Sequence, residues 1–113
     1  MTQVTKARAG EITEEMKQVA DKEGVSPEEI RTGVAEGTIV IPANKNHENL
    51  HPTGIGGGLT TKVNANIGNS EAYPGGEKEL EKLNTALEAG VDAVMDLSTG
   101  AEITEIREKI LAR

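Results

Sequence analysis

Cysteine is absent from the 113 residues, so they can form no disulfide, no thiolate nucleophile and no cysteine-held iron–sulfur cluster. Aromatic bulk is nearly absent too: there is no Phe, no Trp and a single Tyr, at position 73. Any core must be built from aliphatics, and only 24 residues are Leu, Ile or Val. Basic charge is scarce, with 12 Lys and Arg against 19 Asp and Glu and a net charge of −7. Nucleic acid and anionic membranes both need clustered Lys and Arg, so neither is an expected partner. The opening MTQVTKARAG lacks the apolar run of a signal peptide, and no segment approaches the roughly 20 apolar residues of a membrane span. The cytoplasm is the expected location. Thirteen glycines raise the entropy cost of ordering the chain. Such a composition suits either a thin single domain or a piece whose faces are buried against absent partners.

What is present begins with helix punctuation. Thr13 is positioned to cap a helix opening with Glu14 and Glu15, whose charges suit the positive end of the helix dipole. Met16, Val19 and Ala20 give that helix one apolar stripe, and Gly24 ends it. Ser26-Pro27-Glu28-Glu29 spells a capping box with proline in the first turn, Val25 is placed to staple onto Ile30, and Gly37 stands where a terminating glycine should. The first third therefore reads as two short helices. Thr38 to Ile41 is a β-branched run stopped by Pro42, a strand. From Ala43 to Thr60 no period is visible, and so long an irregular stretch is either functional or disordered.

The second half repeats a unit. Lys62 to Asn66 reads as a strand, Ile67 to Ser70 as a polar turn, and a helix follows from about Glu77 to Gly90 with Leu80, Leu83 and Leu87 on one face. Val91 to Leu97 reads as a second strand, Ser98-Thr99-Gly100 as a turn, and the last helix carries Ile103, Ile106 and Ile110. Asn66 and Met95 stand 29 positions apart, at equivalent points of the two units. Repeated βα units belong to a parallel sheet with helices outside, so the fold class is α/β. Two such units leave sheet edges bare, and truncation at Arg113 is the simplest expectation.

Two patterns invite functional readings that their surroundings reject. His47-Glu48-Asn49-Leu50-His51 matches the HExxH of zinc hydrolases, which needs a helix to bring both histidines to one face. Pro42 precedes it, Pro52 follows it, and these are the only two histidines, so a third histidine ligand is lacking. The cluster Gly54-Ile55-Gly56-Gly57-Gly58 resembles a phosphate loop but has Leu59 where a dinucleotide fingerprint needs glycine. Lys62 comes too late for a Walker motif. It reads instead as a flexible connector.

VNANIGNS at 63–70 is less ordinary. Asn64, Asn66 and Asn69 are poor strand formers at the carboxyl end of a parallel strand, the edge where α/β proteins bind ligands. Turn-making explains Asn69 well and Asn64 and Asn66 poorly. Met95 in MDLSTG (95–100) holds the equivalent edge of the next strand, and Asp96 needs a partner if buried.

These blocks, with Ile41-Pro42-Ala43-Asn44 and Asn46-His47 before them, resemble the ordered signature blocks of the phosphomethylpyrimidine synthases over essentially the whole chain. Lys45, Ala101 and Glu102 depart from that pattern, where an apolar residue, Gly and Asp are usual. The resemblance implies a small amino-terminal helical region with an irregular loop, residues 1–60, then the first two βα units of a (βα)8 barrel, residues 61–113. It implies a lyase of thiamine biosynthesis that converts aminoimidazole ribotide to hydroxymethylpyrimidine phosphate by radical S-adenosylmethionine chemistry, with a [4Fe–4S] cluster and zinc and a possible homodimer. Asn66 and Met95 match substrate contacts of the family; catalytic residues and metal ligands fall outside these 113 positions. The chain alone is then expected to be inactive. A reading from another class is a non-catalytic remnant that self-associates or docks through its sheet edge.

Overall fold

The computed structural model describes residues 1–70 and 76–113; Tyr73 lies outside them. The chain divides into two compact units, Met1–Thr61 and Lys62–Arg113.

In the first unit three helices precede a two-stranded ribbon: α1 (Gln3–Arg8), α2 (Glu14–Glu23), α3 (Pro27–Glu36), β1 (Ile39–Val40) and β2 (Ile55–Gly56). The capping chemistry is as the sequence predicts. Thr13 accepts from the Met16 N–H, Ser26 and Glu29 form the reciprocal box, and Gly24 and Gly37 close α2 and α3 with φ of 69° and 83°. Met16, Val19, Ala20, Ile30 and Val34 form the buried core with Ala7, Ile39 and Ile41, and Val25 packs against it.

Helix α1 is an addition to the two predicted helices. It is six residues long and has little apolar pattern of its own, so its stability comes from tertiary packing. Ala7 is fully buried in the core, and Arg31 Nη1 of α3 donates to the Ala7 carbonyl at 2.8 Å. Arg8 Nε donates to the Ala35 carbonyl at 3.1 Å.

The predicted strand over 38–41 is shorter, and its partner lies inside the stretch read as irregular. Ile39 pairs antiparallel with Gly56, and Val40 with Ile55. The glycine cluster is accordingly no flexible connector. A Cβ on Gly56 would stand 2.1 Å from the Thr38 carbonyl oxygen, and one on Gly54 2.5 Å from Val19 Cγ1. Those glycines let two backbones, and a backbone and the core, approach more closely than any side chain allows.

The second unit is β3 (Asn64–Ile67), α4 (Gly76–Glu88), β4 (Ala93–Asp96) and α5 (Ile103–Leu111), with β3 and β4 parallel. This is the predicted strand–helix–strand–helix order. Both strands are shorter than predicted, and β3 is displaced toward the carboxyl end. Asp92 closes the amino end of the pair: its Oδ2 accepts from the Val63 N–H at 2.8 Å, and its own N–H reaches the Val63 carbonyl at 2.9 Å.

Helix α4 corrects the predicted leucine stripe. Leu83 is buried, but Leu87 is 49% exposed, and the second buried residue is Glu79. Glu79 Oε1 accepts from Lys82 Nζ at 2.6 Å, while its Oε2 is buried without a hydrogen-bond partner among the described residues. The apolar core of this unit is small: Ile67, Leu83 and Ile106 are its buried aliphatics among the described residues.

Candidate substrate site at the strand ends

Side chains alternate between the faces of a strand, and parallel register puts paired residues on the same face. Asn66 pairs with Met95, and Ile67 with Asp96. Asn64, Asn66, Ala93 and Met95 therefore share one face, and all four are exposed, Met95 at 51%. Ala65, Ile67, Val94 and Asp96 share the other, where each is buried or half-buried. The two residues singled out from the sequence stand side by side on the open face, one position before the ends of their strands. Asn64 Nδ2 donates to Asn66 Oδ1 at 2.7 Å, which orients the Asn66 amide.

Beyond the strands the two loops remain paired. The Leu97 N–H donates to the Ile67 carbonyl at 2.7 Å and the Thr99 N–H to the Asn69 carbonyl at 2.9 Å. Among the described residues Asn69 makes no local turn of its own, contrary to the sequence reading: it is 4% exposed and bonds the loop of the next unit, its N–H donating to Ser98 Oγ at 3.1 Å and its Nδ2 to the Ala101 carbonyl at 3.2 Å. A Cβ on Gly68 would lie 2.7 Å from the Leu97 carbonyl carbon, so the loops touch backbone to backbone. Asn66, Ile67, Gly68, Asn69, Lys82 and Thr99 are among the residues lining a shallow, open depression of about 320 Å³ at this edge, which Met95 does not line. Lys82 Nζ, paired with Glu79 at 2.6 Å, also lies 3.4 Å from the Gly68 carbonyl.

The partner that Asp96 required is Arg107 of α5, whose Nε donates to Asp96 Oδ2 at 2.9 Å. Asp96 Oδ1 accepts from the Ser98 hydroxyl at 2.5 Å and the Ser98 N–H at 3.1 Å. Burial pushes this carboxyl up, but the bonds from Ser98 and Arg107 outweigh it and hold it below the ordinary Asp range. A group depressed in the folded state adds stability that is complete above the unfolded value of about 3.9 and vanishes as pH falls through the folded value. Part of the acid unfolding of this unit is therefore expected below about pH 4, and Asp96→Asn should remove that part. Melting curves of both proteins in acid check this; parallel loss of stability would show that the carboxylate contributes nothing. Arg107 as a partner was not legible in the sequence, since nothing local links positions 96 and 107; Ser98, two residues on, is a local partner of the kind Asp takes in turns.

The HExxH residues occupy turns, not a helix. The His47 N–H donates to the Asn44 carbonyl at 3.0 Å, its Nε2 lies 3.3 Å from Asn44 Nδ2, and Asn44 Oδ1 accepts from the Asn46 N–H at 3.0 Å. The Asn44–His47 block thus folds on itself as an Asn-stabilised turn. Among the described residues no three His, Asp or Glu side chains gather as a metal site. Nor is any described helix long and apolar enough to cross a membrane.

The carboxyl ends of parallel strands are the edge at which α/β proteins bind ligands. Comparison with known proteins gives the family. The sequence model of the Radical SAM ThiC family matches residues 2–113, and the chain belongs to that family. It is 68% identical over 111 residues to the phosphomethylpyrimidine synthase of Desulforamulus reducens, 98% of this chain and 26% of that protein. It is 62% identical over 111 residues to that of a Thermoanaerobacter species, with the same two coverages. With the synthase of Moorella thermoacetica it shares 56% over 113 residues, all of this chain and 26% of the relative. The chain spans about a quarter of the length of the curated relatives it matches.

Proposed function

We propose that this chain is the part of a phosphomethylpyrimidine synthase that orients aminoimidazole ribotide, with Asn66 as hydrogen-bonding partner and Met95 as packing surface. The observation that carries the reading is their pairing: register places them side by side on the open sheet face. An amide donates and accepts, which suits an imidazole edge or a ribose hydroxyl. A thioether is polarizable and conforms to a flat heterocycle. In this reading β3-α4-β4-α5 are the first two units of a (βα)8 barrel, the open face is its interior, and residues 1–60 precede it as a separate region. The whole enzyme would be a homodimeric lyase of thiamine biosynthesis, acting on the ribotide to give hydroxymethylpyrimidine phosphate. Its S-adenosylmethionine and [4Fe–4S] cluster supply the radical when bound, and the ligands of cluster and zinc would come from residues other than these 113, which include no cysteine. What these residues do is bind and orient.

The test is a ribotide titration of the full-length synthase carrying ¹³C-methyl methionine, with the Met95 signal assigned by Met95→Leu. The Met95 methyl resonance should move on saturation, while that of Met16, buried in the first unit, stays put. A Met95 signal that does not move would remove Met95 from the site.

A further inference from the structure

Asp96 is a carboxylate in a strand that otherwise reads Ala-Val-Met, and it plays no part in the contacts proposed for substrate. Strand alternation turns it away from the face that carries Met95. Its two oxygens are divided between two elements. Oδ2 takes the Arg107 guanidinium of α5, and Oδ1 takes both the hydroxyl and the N–H of Ser98. With its proton committed to Asp96, the Ser98 hydroxyl offers its lone pairs to the Asn69 N–H, 3.1 Å away in the other loop. A chain of bonds, charge-assisted at Asp96, therefore runs from α5 through β4 into the loop that follows β3. Ser98 and Asn69 are both buried, at 6% and 4% exposure, which shields the bond between them from water; Arg107, at the other end, is exposed. On this chain Asp96 stands one residue beyond Met95 and Asn69 three beyond Asn66.

Beyond Asn66 and Met95 the backbone pairing runs on through the Leu97–Ile67 and Thr99–Asn69 bonds, and the Asp96–Ser98–Asn69 chain ties the same two loops through side chains. We propose that Asp96 is a positioning residue: through Ser98 it joins the two strand-end loops and fixes the separation at which Asn66 and Met95 meet a ligand. This rests on the substrate reading above and adds to it a group that touches no substrate.

The experiment uses the full-length synthase with Asp96→Ala and Asp96→Asn, and Asn66→Ala in parallel. Residue-level amide exchange reports on the loops, and ribotide kinetics report on the site. Asp96→Ala should raise exchange at Asn69 and Thr99 about tenfold and ribotide KM by a similar factor, with kcat falling far less. In Asp96→Asn the side-chain amide oxygen still accepts from Ser98, so this variant should restore most of both. Should the alanine protein not fold, Ser98→Ala removes the bridging hydroxyl, keeps the Asp96–Arg107 pair, and carries the same expectation. Unchanged exchange would overturn the proposal. So would faster exchange at unchanged KM, which is a structural role alone, or an asparagine variant no better than alanine. If Asn66→Ala raises KM and Asp96→Ala does not, the positioning role fails and the site stands. If Asn66→Ala also leaves KM unchanged, the substrate reading fails and this proposal with it.

Discussion

Gly56→Ala should cost the first unit about 3 kcal/mol or more, whereas Gly57→Ala, one residue on, should cost almost nothing. The added methyl at 56 would lie 2.1 Å from the Thr38 carbonyl oxygen and 2.8 Å from Ile39 Cα. Both obstacles are backbone, so no rotamer change relieves them, and the β1–β2 ribbon has to open. Opening it breaks the bond from the Gly57 N–H to the Thr38 carbonyl, 3.1 Å long, and loosens Ile39, which is 8% exposed in the core. At Gly57 a Cβ meets nothing within 4 Å. For a unit of this size each kcal/mol moves the melting point by roughly 4–8 °C, so the loss at 56 should exceed about 10 °C. Thermal melts of the two variants decide it. Equal melting points would show that the glycine cluster is the loose connector its composition suggests.

That cluster marks the division between what the sequence discloses and what it conceals. Features written within four or five neighbouring residues were legible: the Thr13 cap, the Ser26–Glu29 box, the stops at Gly24 and Gly37, and the βα repeat with its 29-residue spacing. Features held by distant partners were not. Helix α1 exists because Ala7 is buried and its carbonyl is bonded by Arg31, and β2 exists because Ile39 and Val40 are there to pair with it. Glycine has poor strand propensity, so Ile55-Gly56 reads as loop until the partner backbone is known. Leucine spacing in α4 fixed an apolar stripe but not which edge of it would be covered, and Leu87 fell outside while Glu79 went in. At the candidate site the pairing of Asn66 with Met95 was legible, because a repeat transfers register from one unit to the next. The Asp96–Ser98–Asn69 chain was not: the need for a partner to Asp96 shows in an apolar strand, but the distant partners, Arg107 and Asn69, depend on how α5 and the first loop come to rest.

Asn66→Ala should weaken ribotide binding by the full-length synthase about five- to a hundredfold, the equivalent of roughly 1–3 kcal/mol for a ligand group left unpaired in a closed site. Asn66 is exposed in the described residues, so its loss should leave the melting point unchanged. Asn69→Ala makes the contrast. Its side chain is buried and donates to the Ala101 carbonyl, so its removal should lower the melting point while affecting affinity less. Calorimetric titration of ribotide into the Asn66→Ala synthase, beside the parent protein and Asn69→Ala, measures the difference directly. The account requires a markedly higher Kd for Asn66→Ala at unchanged melting point. A Kd equal to that of the parent, or one raised less than by Asn69→Ala at equal stability, would contradict it.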